Sequence, residues 1–394
     1  MSAGVDDAAV VDLAQVLAST PSVSGEEGDA VRAIAAAMTD LGFDVEVDAA
    51  GNAVGLLGDG DGSRLLIDGH IDTIPLHSEE RWTVDPFGGT IRDGRLYGLG
   101  ICDQTASIAA AAHGVAAAHR AGRLGGTVAV VASVCEEEME GQALAGVVDR
   151  FAPDVVITTE PSDTRLCIGQ RGRAKAFVRV TGRACHAGHA AVGLNAGEAI
   201  AALIEEARRL EHPTDPHLGR RDLTCIDVMS HPYPSVSTVP GRAEARFDCR
   251  FLPGETPESV LALLVGCAER AWSSWPEKPG LEVGLVEATF KTWTGASFAA
   301  PEFAAAWWTD ETSHVVVQAK AALVDVGLDP SPTHYSFCTN GSLTAGLLGI
   351  PTLGFGVGVE SMAHQVDEHV TIASLLDGAR GYAALSEHLT GTQR

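Results

Sequence analysis

The stretch LLIDGHIDTIP, residues 65–75, begins as an apolar run and continues into His70 and Asp72. Side chains of a strand alternate between its two faces, so His70 and Asp72 are expected to leave it on the same side. Histidine is a common metal ligand, and a neighbouring carboxylate can orient its ring. The same residues also fit an ordinary surface loop after a strand, so the rest of the chain has to decide between the two.

Further apolar runs end in acidic residues. Residues 126–138, GTVAVVASVCEEE, end in three glutamates, and residues 153–161, PDVVITTEP, place Glu160 at the end of a strand. Helical patterns alternate with these runs, and Ser24 is the predicted cap of the second helix. This alternation indicates an α/β fold with a parallel or mixed sheet, in which ligands gather at the carboxyl ends of the strands. The helical patterns cover residues 8–19, 26–42, 104–121, 311–327 and 371–389.

Residues 174–290 follow a different pattern, with two helices among four strands in the order βαββαβ. This order is that of a ferredoxin-like unit, and it predicts a small domain inserted into a larger one. The predicted boundaries are 1–173 for the first part of the main domain, 174–291 for the insertion and 292–394 for the second part.

The composition excludes several classes of function. The 394 residues include 27 Lys and Arg against 52 Asp and Glu, a net charge of −25, which disfavours nucleic acid and anionic membranes as partners. No apolar stretch has the length of a membrane helix, and the acidic N-terminus lacks the basic region of a secretory signal. The eight cysteines form no C-x-x-C pair, so we expect reduced thiols and a cytoplasmic protein.

Potential metal ligands recur at the ends of the predicted strands. Several carboxylates on one sheet edge would repel one another unless a cation neutralises them. A mixture of histidines and carboxylates without a thiol motif suits zinc or a similar divalent ion. The candidates are His70, Asp72, Asp103 after YGLGIC, Glu136 and Glu137 after VASVC, Glu160 after VITT, and His364 in ESMAHQVDEHV.

The order of these motifs resembles a large hydrolase family. G-H-x-D-T-x-P is followed by an Asp, by E-E, by E-P, by CHAG and GLNA in the inserted region, and by AHQVDEHV. The resemblance is to the co-catalytic zinc family of aminoacylase, carboxypeptidase G, acetylornithine deacetylase and succinyl-diaminopimelate desuccinylase. It covers nearly the whole chain and is nearest to a bacterial branch of loosely assigned hydrolases. It implies a zinc-peptidase-like mixed-sheet catalytic domain with a ferredoxin-like lid and dimerisation domain.

The resemblance also implies a role for each candidate. Two divalent ions per chain are expected, with zinc first and cobalt or manganese as alternatives. A cis peptide bond is expected after Asp103, and the partner in a homodimer is expected to supply His186, with His189 as a rival. The implied roles are His70, Asp103 and Glu160 on one metal, Asp103, Glu137 and His364 on the other, Asp72 orienting His70, and Glu136 as the general base.

Some positions depart from the family pattern, and they are expected to lie around the substrate pocket. D-x-K-G-G reads DQTAS here, which replaces Lys by Thr105, and Ser237 and Ala190 stand where the family commonly has Asn and Pro. Asp367, Glu368 and His369 are interpreted as charges at a helix start, and Cys102 and Cys135 as small buried thiols. The candidates for substrate binding are Arg250, for which a structural ion pair is the alternative, and Ser237, Thr339, Asn340 and Gly341.

The expected function is hydrolysis of an amide bond in an N-acyl amino acid or dipeptide-like small molecule. One alternative is hydrolysis of an N-carbamoyl or other unusual amide. An alternative of another class is a catalytically silent relative that acts as a binding protein, which the complete ligand set disfavours.

Overall fold

A computed structural model describes residues 4–391 of the chain, which divides into two compact units. The larger unit contains the residues up to Gln170, Thr289–Phe298, and those from Trp308 onward. The smaller unit contains Arg171–Ala288 and Ala299–Trp307.

The first part of the larger unit alternates helices with short strands. Of the helices in the described chain, none combines the length and apolar character that a membrane crossing requires. In order, the elements are α1 (Asp7–Ala18), α2 (Gly28–Asp40), β1 (Asp44–Val47), β2 (Ala53–Leu57), β3 (Leu65–His70), β4 (Thr90–Arg92), β5 (Arg95–Tyr97), α3 (Ala106–Arg120), β6 (Val128–Ser133), α4 (Ala145–Phe151), β7 (Val155–Thr158) and β8 (Cys167–Gln170).

The smaller unit is an antiparallel sheet with two helices. Its long elements follow the predicted order βαββαβ, and the strands lie side by side in the order β13-β15-β9-β16. Apolar side chains of both helices and of the sheet form a core of their own. The elements are β9 (Gly172–Thr181), β10 (Cys185–His186), α5 (Ala196–Arg208), β11 (Thr214–Asp215), β12 (Gly219–Arg220), β13 (Asp222–His231), β14 (Thr238–Val239), β15 (Arg242–Phe251), α6 (Pro257–Ala271) and β16 (Gly280–Leu285).

The rest of the chain mostly completes the larger unit. Residues 299–307 differ from the predicted boundaries, because β19 pairs with β9 and this segment therefore belongs to the smaller unit. The elements are β17 (Glu287–Lys291), β18 (Ser297–Pro301), β19 (Phe303–Ala304), β20 (Trp307–Trp308), α7 (His314–Asp325), β21 (Thr333–Tyr335), β22 (Thr352–Gly354), β23 (His369–Thr371) and α8 (Ile372–Thr390).

The main sheet of the larger unit brings the ends of three parallel strands to one edge. Its strands lie in the order β1-β2-β6-β3-β7-β22-β8, and β3 pairs in parallel with both β6 and β7. Leu65 and Ile67 face a core that α1, α3 and α8 share, whereas Leu66 faces the α4 side. In the register of β3 with β6, His70 lies opposite Ser133. The residues that follow β6 and β7 therefore emerge beside His70.

Candidate active site

The structure brings six of the predicted site residues together at this edge. His70 Nε2 lies 3.2 Å from Asp103 Oδ1, 3.8 Å from Glu160 Oε1 and 3.9 Å from Glu136 Oε2. His364 Nε2 lies 2.8 Å from Glu137 Oε1 and 3.3 Å from Asp103 Oδ2. Asp103 therefore stands between two histidines, with one carboxylate oxygen toward each. The peptide bond Asp103–Gln104 is cis, as the resemblance implies.

The electrostatics of this cluster favour a bound cation. Burial raises the pKa of Glu136 and of Glu160 well above the usual range, although the nearby His70 lowers it. Hydrogen bonds to Asp103 and Glu137 raise the pKa of His364 to about 10. Four buried or half-buried carboxylates on one edge are costly without positive charge, and two histidines supply at most part of it.

The donor atoms also fit divalent metal ions. His70 forms two groups, one with Asp103 and Glu137 and one with Glu136 and Glu160, and the ligand atoms of each group lie within 4.8 Å of one another. Glu136 Oε1 is buried and has no hydrogen-bond partner in the described chain. Imidazole nitrogens with carboxylate oxygens suit zinc and similar ions. The distances place Glu136 about as near to His70 as Glu160 is, so they do not by themselves assign the general base.

Asp72 contacts His70 differently from the prediction. His70 Nδ1 lies 2.9 Å from the backbone carbonyl oxygen of Asp72, whereas its distance to the nearer carboxylate oxygen is 3.7 Å. The carboxylate accepts the backbone N–H groups of Glu136 and Glu137, at 3.0 and 3.2 Å, and the hydroxyl of Ser24 at 2.7 Å. Its side chain therefore holds the turn after β6, and its main chain orients His70.

Glu27 is a second carboxylate behind this turn, and sequence reasoning missed it. It is fully buried, and its Oε1 accepts the N–H groups of Gly25 at 2.9 Å and Cys135 at 3.1 Å. The predicted cap at Ser24 is wrong, because Glu27 occupies the position before α2 and the Ser24 hydroxyl is bound to Asp72. The sequence carries no local signal for this role, since the contact to Cys135 spans 108 positions.

Glu368 is the third residue whose carboxyl group accepts backbone N–H groups of a turn at the site. Its interpretation as a charge at a helix start is wrong. No helix begins there, since the strand β23 follows and α8 starts only at Ile372. Glu368 is 1% exposed, and its carboxyl oxygens accept the N–H groups of Gly100, Cys102 and Asp103. Burial raises the pKa of Glu368 to about 8, and these N–H groups act in the opposite direction. The neighbouring Asp367 is also engaged, because it accepts the N–H and hydroxyl of Thr83.

Three of the predicted substrate-binding residues are committed to the interior of the larger unit. Thr339, Asn340 and Gly341 are buried. The Asn340 side chain donates to Asp68 and Ser133 and accepts the N–H of Gly141. The Thr339 hydroxyl donates to Gln170 and accepts the N–H of Gly341. Because these groups already have protein partners, the prediction that they bind a substrate carboxylate is not supported.

The DQTAS departure also lies inside the protein rather than around an open pocket. Thr105 is 2% exposed and donates its hydroxyl to the Gly100 carbonyl, and Ser107 is fully buried and accepts the N–H of Val357. Cys102 and Cys135 are buried, and burial raises the pKa of both thiols far above the usual range. The two residues that depart from the family motif and the two thiols therefore pack inside the protein beside the site.

The remaining candidates belong to the smaller unit. Arg250 pairs with Asp248 at 2.8 Å, which agrees with the structural alternative. Ser237 has a φ of 54°, and its carbonyl accepts the N–H of Ala187 at 2.9 Å. His186 is exposed and its Nδ1 accepts the N–H of Gly188 at 3.0 Å, which leaves Nε2 to carry the proton of a neutral ring. His189 lies beside it, and the two ring centroids are 5.8 Å apart.

The mixed α/β sheet and its cluster of histidines and carboxylates define a metal-dependent amidohydrolase with a dinuclear centre. The chain belongs to peptidase family M20/M25/M40, whose sequence pattern matches residues 66–388.

Individual relatives are similar to this chain over nearly its whole length. YgeY of Escherichia coli K12 is 30% identical over 380 residues, which cover 94% of this chain and 91% of that protein. A succinyl-diaminopimelate desuccinylase of Gluconacetobacter diazotrophicus is 29% identical over 402 residues and 96% of each chain. The crystal structure of aminopeptidase PepT from Bacillus cereus has a TM-score of 0.76 at 20% identity, and covers 98% of this chain and 99% of its own.

Proposed function

We propose that this enzyme hydrolyses the amide bond of an N-acyl amino acid or a dipeptide-like small molecule, with Glu136 as its general base. One observation carries the proposal: Glu136 Oε1 is buried at the centre without a hydrogen-bond partner in the described chain. A carboxylate oxygen kept out of protein hydrogen bonds beside the proposed ligands is available to accept a proton from water.

The proposed metal ligands are the residues that the resemblance implies, and the distances around Asp103 support them. His70 and His364 approach different oxygens of Asp103, so Asp103 would have one oxygen available beside each proposed histidine ligand. Zinc is the proposed ion, with cobalt and manganese as alternatives. Bound divalent ions would polarise the scissile carbonyl and lower the pKa of the attacking water.

The residues of the chain supply the proton transfer and its geometry. Glu136 takes a proton from the attacking water and delivers it to the leaving nitrogen, which needs a carboxylate that is not a permanent ligand. Three consecutive N–H groups, at Cys135, Glu136 and Glu137, are bound by Glu27 and Asp72. These hydrogen bonds fix the turn, so that Glu136 and Glu137 present their side chains to the site in a constant orientation.

The curated relatives favour a deacylase among the possible reactions. A desuccinylase at 29% identity removes an acyl group, and its match extends over 96% of both chains. N-carbamoyl amino acids, the alternative substrates, also contain a C–N bond at a carbonyl carbon. They therefore belong in the same substrate series.

The proposed assembly is a homodimer in which each chain supplies His186 to the site of its partner. An exposed imidazole with its proton on Nε2 is suited to donate a hydrogen bond to the developing oxyanion.

The test is a substrate series with ninhydrin detection of the released amine. N-acyl amino acids, dipeptides and N-carbamoyl amino acids are offered to metal-loaded wild type and to Glu136→Gln. Wild type should release amine, and Glu136→Gln should lose roughly 10²–10⁴-fold in kcat while it keeps both metals. Glu137→Ala is the matched control, and it should lower the metal content.

Two results would change the proposal. An empty centre in Glu136→Gln and a full one in Glu137→Ala would exchange the roles of the two residues. Wild type with less than one metal per chain after metal loading and no amine release would favour the catalytically silent binding protein.

A further inference from the structure

Glu368 is the meeting point of three backbone N–H groups. Its Oε1 lies 2.8 Å from the nitrogen of Cys102 and 3.1 Å from that of Asp103, and its Oε2 lies 3.0 Å from that of Gly100. All three donors belong to the turn that presents Asp103 to the centre. The side chain therefore binds the turn along its length rather than at one point.

Glu368 also belongs to the segment that carries His364. Its own carbonyl oxygen accepts the N–H of Gly98 at 3.1 Å, and the next residue, His369, pairs with Tyr97 in the antiparallel ladder of β23 and β5. Glu368 lies four positions after His364 in the sequence. Two segments that are distant in sequence, one with Asp103 and one with His364, are thus joined by this backbone pairing and by the Glu368 side chain.

The chemistry of the contact requires a carboxyl group. No salt bridge to Glu368 is found in the described chain, and its two carboxyl oxygens face the three N–H groups of the turn. Both oxygens act as acceptors, so glutamine would place an NH₂ donor against one of the N–H groups. A buried carboxyl group that faces only N–H donors from the Asp103 turn points to a role at the centre.

We propose that Glu368 is a positioning residue that fixes Asp103 relative to His364 and thereby sets the affinity of the centre for one of its two metal ions. The inference rests on the proposed function only in that Asp103 and His364 are taken as ligands. Both carboxyl oxygens of Glu368 are directed at backbone N–H groups, so it acts through the backbone of the Asp103 turn.

The test compares Glu368→Gln with Glu368→Asp in the full-length protein. Each is dialysed against buffered Zn²⁺ or Co²⁺, and metal content, the visible spectrum of the Co²⁺ form and the unfolding temperature are measured. Glu368→Gln should bind one of the two ions about 10–100-fold more weakly and show an altered Co²⁺ spectrum, as loss of an outer hydrogen-bond partner does at other metal sites. Glu368→Asp keeps both oxygens on a side chain one methylene shorter, so it should bind that ion more tightly than Glu368→Gln and measurably more weakly than wild type.

Asp48→Asn is the matched control. Asp48 lies in the turn between β1 and β2, and its carboxylate likewise accepts three N–H groups, from the backbones of Gly51 and Asn52 and from the side chain of Asn52. Its substitution should lower the unfolding temperature and leave both metal ions in place. A loss of metal that merely follows loss of stability would appear in this control as well.

The outcomes separate the inference from the proposed function. If folded Glu368→Gln binds two ions with wild-type affinity and gives the wild-type Co²⁺ spectrum, the inference is wrong. If Glu368→Gln does not fold, the same result in Glu368→Asp overturns it. Wild type that binds two metals without cleaving any amide would contradict the proposed reaction and leave the role of Glu368 intact, whereas wild type that binds no metal would contradict both.

Discussion

The acidic residues of this site act in two different ways. Asp103, Glu136, Glu137 and Glu160 turn their carboxylates toward one another and toward the histidines. Asp72, Glu27 and Glu368 lie behind them, and their carboxyl groups accept backbone N–H groups of the turns that carry the first set. Hydrogen bonds from N–H groups to carboxylates are stronger than those between neutral groups, so these contacts can hold short turns in place.

The substitution Asp72→Ala separates the side-chain contact of Asp72 from its main-chain contact. The substitution removes the carboxylate that binds the turn of Glu136 and Glu137 and retains the backbone carbonyl that orients His70. We expect kcat to fall about 10–100-fold while both metal ions stay bound. Steady-state kinetics combined with metal analysis checks this.

Ser24→Ala is the control for Asp72→Ala, because it removes one hydrogen-bond donor to that carboxylate and leaves the contacts with the turn. Its effect on kcat should be clearly smaller. Loss of metal in Asp72→Ala, with activity restored by excess metal, would instead show that the carboxylate controls His70.

Sequence reasoning found the residues at strand ends, gave Asp72 only the role of orienting His70, and missed the supporting roles of Glu27 and Glu368. His70, Glu136 and Glu160 follow apolar runs, and a parallel sheet brings such ends together, so both pattern and family resemblance identify them. Glu368 binds an N–H group 268 positions away, at Gly100, and nothing in the local sequence separates it from a solvated charge. Thr105 was likewise placed near a pocket because it departs from a family motif, although its hydroxyl is satisfied inside the turn.

At the level of secondary structure, Asn340 connects a loop to two neighbouring strands of the main sheet. It donates to Asp68 on β3 and to Ser133 on β6, and it accepts the N–H of Gly141. Asp68 is buried, its other carboxylate oxygen has no hydrogen-bond partner in the described chain, and burial raises its pKa to about 6. The Asn340 side chain of this loop therefore donates a hydrogen bond to the Asp68 carboxyl group, which is buried inside the sheet.

Asn340→Ala should destabilise the protein without weakening substrate binding. Removal of the amide takes one hydrogen-bond donor from Asp68 and leaves the N–H of Gly141 without its side-chain acceptor, which corresponds to a loss of about 2–4 kcal/mol in the free energy of unfolding. Urea denaturation gives this value, and KM of the folded enzyme should stay near that of wild type.

Asn195→Ala, which removes the cap of α5 in the smaller unit, provides the comparison at about 1 kcal/mol. A large rise in KM of Asn340→Ala without loss of stability would restore Asn340 as a substrate-binding residue.

At the level of the whole molecule, the proposed dimer predicts complementation between two inactive variants. His186→Ala chains keep Glu136 but cannot lend a histidine, and Glu136→Gln chains lend one but cannot transfer the proton. In a mixed dimer, the site on the His186→Ala chain has its own Glu136 and a borrowed His186. Random reassortment makes about half of the dimers mixed, each with one working site, so about a quarter of wild-type activity should return after joint refolding.

The control is each variant refolded alone, which should stay nearly inactive. Mixed dimers that form, as shown with differently tagged chains, but recover no activity would exclude sharing of His186. Recovery at the predicted level would also show that the histidine acts across the dimer and not within its own chain.

The order of strands in the main sheet determines when each strand can pair with its neighbours during synthesis. The strand β22 lies between β7 and β8, yet it leaves the ribosome about 190 residues after β7. At 5–20 residues per second, the wholly buried strand Val155–Thr158 waits roughly 10–40 s for this neighbour. Throughout that interval the nascent chain presents an apolar edge open to foreign strands, while the smaller unit can complete most of its own sheet. The larger unit can complete its sheet only when synthesis is nearly finished, because β22 ends at Gly354 in a chain of 394 residues.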